Sequence, residues 1–141
     1  MPASVILVVD DEPVITNTLV LILNSFKGEF YVVGSTNIAE ALTIVQGIHP
    51  DLVLLDAIMP GANGLDHAVQ MRDRFGCKVL MMSGQGATSV HLEELNRRGD
   101  APFEIVAKPI HPNELVSRLR EILLRQPLAS EWVNPLSFKV Q

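Results

Sequence analysis

The sequence holds a single cysteine, Cys77, in an apolar stretch, which excludes a disulfide framework and fits a reducing compartment. No run approaches the ~20 apolar residues of a membrane span. The opening "MPASVILVVDDE" has no basic region, and its apolar run is too short for a secretory signal. Basic residues are in deficit, 11 Lys and Arg against 16 Asp and Glu, so the net charge of −5 gives no reason to expect nucleic-acid binding. Internal repeats are also missing. What the chain has is apolar side chains: 48% of 141 residues are hydrophobic and 19% charged, the balance of one compact domain with a real core. The expected class is a soluble, cytoplasmic globule.

Short apolar runs alternate with segments of helical period. "VILVV" at residues 5–9 reads as a buried strand, followed by Pro13 in a first helical turn with Asp11 and Glu12 at the cap. Ile15, Leu19, Ile22, Leu23 and Phe26 then mark one helix face, and Gly28 closes the segment. "FYVVG" is a second strand, and Ile38, Leu42 and Val45 mark a second helix. "LVLLD" runs into a turn-rich "MPGANG", and Leu65, Ala68, Val69 and Phe75 place a third helix after it. "CKVLMMS" is the fourth strand. Val90, Leu92 and Leu95 lie in a polar helix ending at "RRG", "FEIVAKP" is the fifth strand, and Leu115, Val116, Leu119, Ile122 and Leu123 give the best helical stripe.

Five strands and five helices alternate strictly, and the strands are continuous apolar runs, as in a parallel sheet covered on both faces. The expected fold is a doubly wound α/β sandwich over residues 1–126. Residues 127–141 break the pattern. They read either as a tail or linker stub, or as a segment that packs Trp132, Leu136 and Phe138 on this domain or a partner.

In such folds ligands bind outside the carboxyl ends of the strands. Asp10 and Asp11 end the first strand, Asp56 the third, Ser83 the fourth and Lys108 the fifth, so all five face one rim. Two unit charges about 4 Å apart repel by roughly 4 kcal/mol at an effective dielectric of 20, so clustered carboxylates need a cation. Oxygen-only ligands at a partly open site suit Mg²⁺.

The acidic pair Asp10-Asp11, the "DAIMPGANG" turn opening with Asp56, Ser83 after "VLMM", and Lys108-Pro109 together give a shape. Over residues 4–126 the chain resembles the receiver (response-regulator) domain of bacterial two-component signalling, a flavodoxin-like (βα)5 fold. The resemblance implies that Asp56 accepts a phosphoryl group from a histidine of a sensor kinase or phosphotransfer protein. It implies Mg²⁺ held by Asp11 and Asp56 directly, by Asp10 through water and by the backbone carbonyl of Ile58. Lys108 would pair with a phosphoryl oxygen, and Ser83 would hydrogen-bond the group once present. It further implies a signalling phosphoacceptor whose only catalysis is on itself, an unnamed downstream protein, and a phosphorylation-dependent homodimer. No membrane or direct nucleic-acid contact is expected, and DNA binding would need a second domain for which no room follows residue 126.

The sequence departs from the family at the aromatic that rotates inward on phosphorylation, since that position holds Ile105. Phe103, two residues earlier on the same strand face, either substitutes or does not, and "NRRGDAPFEIV" lacks the usual pattern. Gly84 keeps the entrance small-sided, and Ile58 and Gln85 stand where the family tunes phosphate lifetime. Two other functions compete. One is a degenerate receiver that binds partners without phosphate. The other is a Mg²⁺ phosphohydrolase, whose second acid two residues after the nucleophile is here Ile58.

Each feature also has a plain explanation: a cap at Asp11 beside Pro13, a turn carboxylate at Asp56, a turn start at Ser83. His49, His67, His91 and His111 lack ligand spacing and read as structural or solvated. Arg98-Gly99-Asp100 is a helix end by coincidence of spelling. Met71, Met81 and Met82 are core filler, and Cys77 a buried, inert thiol.

Overall fold

The computed structural model describes residues 2–60, 62–84 and 103–125. Along the chain run β1 (Ser4–Val9), α1 (Pro13–Asn24), β2 (Phe30–Ser35), α2 (Ile38–Ile48) and β3 (Leu52–Asp56). Then come two short strands, β4 (Ile58–Met59) and β5 (Ala62–Asn63), followed by α3 (Gly64–Phe75), β6 (Lys78–Ser83), β7 (Glu104–Ala107) and α4 (Pro112–Leu124). Five strands pair in parallel in the order β2-β1-β3-β6-β7. This is the doubly wound, flavodoxin-like sandwich that the sequence predicts. Its strand order turns back between β1 and β3, which makes their carboxyl ends the switch point.

The continuous apolar runs resolve into two interleaved stripes. Leu7, Val9, Val53, Leu55 and Met81 face α2 and α3, where Ala41, Val45, Leu65, Ala68 and Met71 meet them. Ile6, Val8, Leu52, Leu54, Leu80 and Met82 face α1 and α4, against Leu19, Leu23, Leu115, Leu119 and Ile122. Successive strand side chains point to opposite faces, so a strand covered on both sides must be apolar at every position. Burying a side chain such as Leu54 contributes about 1.5–3 kcal/mol.

Several local readings change. The turn-rich "MPGANG" forms an antiparallel ribbon in which Ile58 pairs with Asn63 and Met59 with Ala62. Glu12 is the N-cap residue of α1, but neither it nor Asp11 caps with its side chain. Helix α1 stops at Asn24 with Ser25 as C-cap, before Phe26, and the Ser25 hydroxyl donates to the Ile22 carbonyl at 2.5 Å. Gly28, at φ +80°, turns the chain a few residues later. The expected polar helix at Val90, Leu92 and Leu95 lies outside the described residues. So do Gln85, His91, Arg98-Gly99-Asp100 and residues 127–141.

Met71, Met81 and Met82 are fully buried, as core filler should be. Cys77 is buried too, and desolvation, helped by Asp51, pushes its thiol up to about 11. Among the described residues no helix is long and apolar enough to cross a membrane.

Candidate functional site

Parallel pairing brings the ends of four strands to one rim. β1 delivers Asp10, whose N–H continues the ladder to the Ser35 carbonyl, and β3 delivers Asp56 as its last residue. Ser83 ends β6, and its carbonyl accepts the Lys108 N–H at 2.8 Å, which extends the β6–β7 pairing to the lysine. The five residues expected on this rim are all there.

The three acids converge. Asp10 is fully buried, Asp56 is 5% exposed, and Asp11 is half-buried. One carboxylate oxygen from each lies within 4.8 Å of the other two, the donor set a hard divalent cation would take. Asp10 is oriented at both ends: its Oδ1 accepts the Glu12 N–H at 2.9 Å, and its carbonyl accepts the Thr16 hydroxyl at 2.6 Å. Asp56 Oδ1 accepts the Ile58 N–H at 3.3 Å.

Lys108 Nζ sits 2.6 Å from Asp10 Oδ2 and 3.3 Å from Asp56 Oδ2. Burial opposes its charge, but the bond to Asp10 and the fields of Asp56 and Asp10 outweigh it, so the ammonium titrates above the usual lysine value. The balance at Asp56 goes the other way. Burial and then the Asp10 charge raise its carboxyl to about 6, against the opposing pull of Lys108 and the Ile58 N–H. One lysine does not neutralise three acids.

Ser83 is 1% exposed and donates its hydroxyl to the Gly84 carbonyl at 3.1 Å. Gly84 is exposed, with open space where a side chain would stand. The Lys108–Pro109 peptide is cis. Ile105 is half-buried against the core on the α2/α3 face. Phe103 is buried on that same face, with the Arg72 guanidinium 4.9 Å from its ring centroid.

Three positions that shape the site escape a reading of motifs. Thr16, 3% exposed, is a polar residue inside the stripe of α1, one turn after the acids, and that misfit was its signal. Asn63 caps α3 by accepting the N–H groups of Leu65 and Asp66. Gly64 lets α3 seat against the loop after Asp56, since a Cβ there would stand 2.2 Å from the Ala57 carbonyl oxygen. Among the described residues no histidine belongs to the carboxylate cluster: His49 and His111 are exposed, and His67 is half-buried with Nδ1 unpartnered.

Residues 6–120 match the family model of the response regulator receiver domain. The chain is 37% identical over 120 residues to the DNA-binding response regulator MtrA of Mycolicibacterium smegmatis, covering 85% of this chain and 50% of that protein. Protein PetR of Rhodobacter capsulatus is 31% identical over 124 residues, covering 88% and 50%. The chain thus spans about half the length of the curated relatives it matches. The expectation of no nucleic-acid contact does not fit the name of MtrA. Among solved structures, a response regulator receiver domain protein from Clostridium thermocellum superimposes with a TM-score of 0.74 at 22% identity, over 85% of this chain and 94% of that one. A response regulator from Thermotoga maritima gives 0.71 at 22%, over 86% and 98%. At those identities the likeness speaks for the fold alone.

Proposed function

The chain belongs to the family of response regulator receiver domains, and from that premise we propose that it is a phosphorylation-dependent signalling switch with Asp56 as its acceptor. The observation that supports this best is the lysine that reaches both Asp10 and Asp56 on a rim where three carboxylates crowd together.

The Asp56 carboxylate attacks phosphorus carried on a histidine of a partner kinase or phosphotransfer protein. The nitrogen–phosphorus bond breaks, and the departing imidazole keeps the electron pair and takes up a proton. With its carboxyl near 6, Asp56 is mostly ionised at neutral pH and serves as the nucleophile. Phosphoryl transfer asks for positioning and charge stabilisation more than covalent chemistry. Lys108 supplies a fixed positive charge for the phosphoryl oxygens. Asp11 and Asp56 directly, Asp10 through water and the Ile58 carbonyl would hold Mg²⁺, which neutralises those oxygens when bound. The Ser83 hydroxyl turns from the Gly84 carbonyl to the phosphoryl group and brings the end of β6 with it.

Residues 1–126 act as the switch unit, and the only chemistry is on the chain itself. Its state is read by a downstream protein or a second copy. Intact-protein mass after incubation with acetyl phosphate and Mg²⁺ tests the proposal. One added phosphoryl group is expected, absent without Mg²⁺ and absent in Asp56→Asn. No adduct, together with no binding of beryllofluoride, would overturn it.

A further inference from the structure

The last turn of α4 contains no basic residue of its own, although open carbonyls and the helix dipole favour a cation there. The cation comes from β6. Lys78 Nζ donates to the Leu123 carbonyl at 3.3 Å and to the Arg125 carbonyl at 3.0 Å. Arg125 is where the helix gives way to extended backbone, with ψ 144°. Its guanidinium lies 2.7 Å from Glu104 on β7 and 2.6 Å from Glu121 one turn back. Glu104 in turn meets Arg118 at 3.5 Å. The point at which the chain leaves α4 is therefore gripped twice, by its carbonyl and by its side chain.

We propose that Lys78 and Glu104 form an outlet clamp, which holds the end of α4 at Arg125 and changes its grip with the state of the opposite rim. The second half of this rests on the phosphorylation reading above. Both gripping residues begin strands whose far ends carry the site: β6 starts at Lys78 and ends at Ser83, and β7 starts at Glu104 and is followed by Lys108. The two strands are paired from Leu80 with Glu104 to Ser83 with Ala107. A strand of six residues spans about 17 Å from first to last. Close-packed strands pass a shift along rather than absorb it. When Ser83 and Lys108 move onto a phosphoryl group, their strands move at the other end, where the two carbonyl bonds are either kept or lost. Those bonds are the two-state element that such coupling requires.

Trypsin reads the clamp directly, because the carbonyl held by Lys78 belongs to the Arg125–Gln126 peptide bond. The rate of cutting there is measured by mass spectrometry on the full chain, relative to cutting after the exposed Lys27. Lys78→Met is expected to raise that ratio about fivefold, the effect of losing one ordinary hydrogen bond in a local opening. Lys78→Arg should restore it in large part, and Glu104→Gln should raise it less. In the unchanged protein, Mg²⁺ with beryllofluoride should alter the ratio about threefold, a change absent in Lys78→Met. An unchanged ratio in both Lys78→Met and Glu104→Gln, each with a cooperative melt, would sink the clamp. If the ratio rises in the variants yet ignores beryllofluoride in a protein that acetyl phosphate labels, the coupling is wrong while the acceptor stands. Absence of any label points instead to failure of the phosphorylation reading, and the coupling falls with it.

Discussion

The two rims of one sheet treat charge in opposite ways. At the amino-terminal rim the partly buried charges are answered one by one. Asp51 takes the Val5 N–H at 2.7 Å, Lys78 is shared between two carbonyls, and Glu104 lies between two arginines. At the carboxyl-terminal rim three acids crowd round a single described ammonium, and Asp56 is pushed up to about 6. The first arrangement is what stability alone selects, since buried polar groups are costly unless paired. The second is costly to the fold and suits a site that must bind a cation and a phosphoryl group. The difference marks the candidate site without any motif.

The largest effect should come from removing the one described cation of the crowded rim. Lys108→Met leaves two buried carboxylates without their partner, and breaking a buried ion pair on one side destabilises by about 3–5 kcal/mol. Urea unfolding at pH 7.5 without divalent ions should show a loss in that range. Adding Asp10→Asn should recover part of it, because the charge left unpaired is then gone. Labelling by acetyl phosphate should fall about a hundredfold, as when one fixed charge-stabilising donor is lost. A Lys108→Met protein as stable as its parent would mean that the acids are not held against that lysine.

Next comes the pH dependence that the crowding imposes. The Asp56 carboxyl is raised from 3.8 to about 6, so the folded protein holds a proton that the unfolded chain has already released. From this group stability rises as pH falls from about 7 to about 4, opposite to the usual acid behaviour, by up to about 3 kcal/mol. Asp56→Asn should flatten that limb and raise the unfolding free energy at pH 7.5. Mg²⁺ should reverse the limb, since the cation binds the ionised carboxylates. Urea midpoints across pH 4–8 for both proteins, with and without Mg²⁺, measure all of this. Parallel profiles for the two proteins would show that the rim carries no strain.

Much of this contrast was legible in the sequence. Every strand of the five-stranded sheet was, because parallel strands covered on both faces must be apolar at successive positions, and few other elements are. The rim residues were legible because the acids, Ser83 and Lys108 each interrupt such a run at its end. What stayed hidden depends on distance between elements. Thr16 reads as a blemish in a helical stripe until its hydroxyl is seen on the Asp10 carbonyl. The two-residue ribbon after Asp56 is too short to show a period. Lys78 looks like a solvated charge opening a strand, because its carbonyl partners lie forty-five and forty-seven residues away. Ile105 was legible as a departure, and it lies half-buried on the same core face as Phe103.

The smallest effect belongs to the amino-terminal rim, and it is the control for the rest. Glu29 and Arg120 form a two-pronged pair at 2.6 and 2.8 Å, with the guanidinium 5.7 Å from the Phe26 ring centroid. By distance it is as close as the Lys108–Asp10 pair. Arg120 is 48% exposed at its side chain and Glu29 35%, so water and salt already do most of what either partner does for the other. The bond to Arg120 holds the Glu29 carboxyl below its ordinary value. That sign is the reverse of Asp56: any stability it lends is present above the unfolded value and lost on acidification. Glu29→Gln should nonetheless leave the urea midpoint unchanged within error from pH 4 to 8 and at any salt. A clear loss would show that the distances at the two rims, and not their burial, set the cost of charge, and the contrast drawn between them would fail.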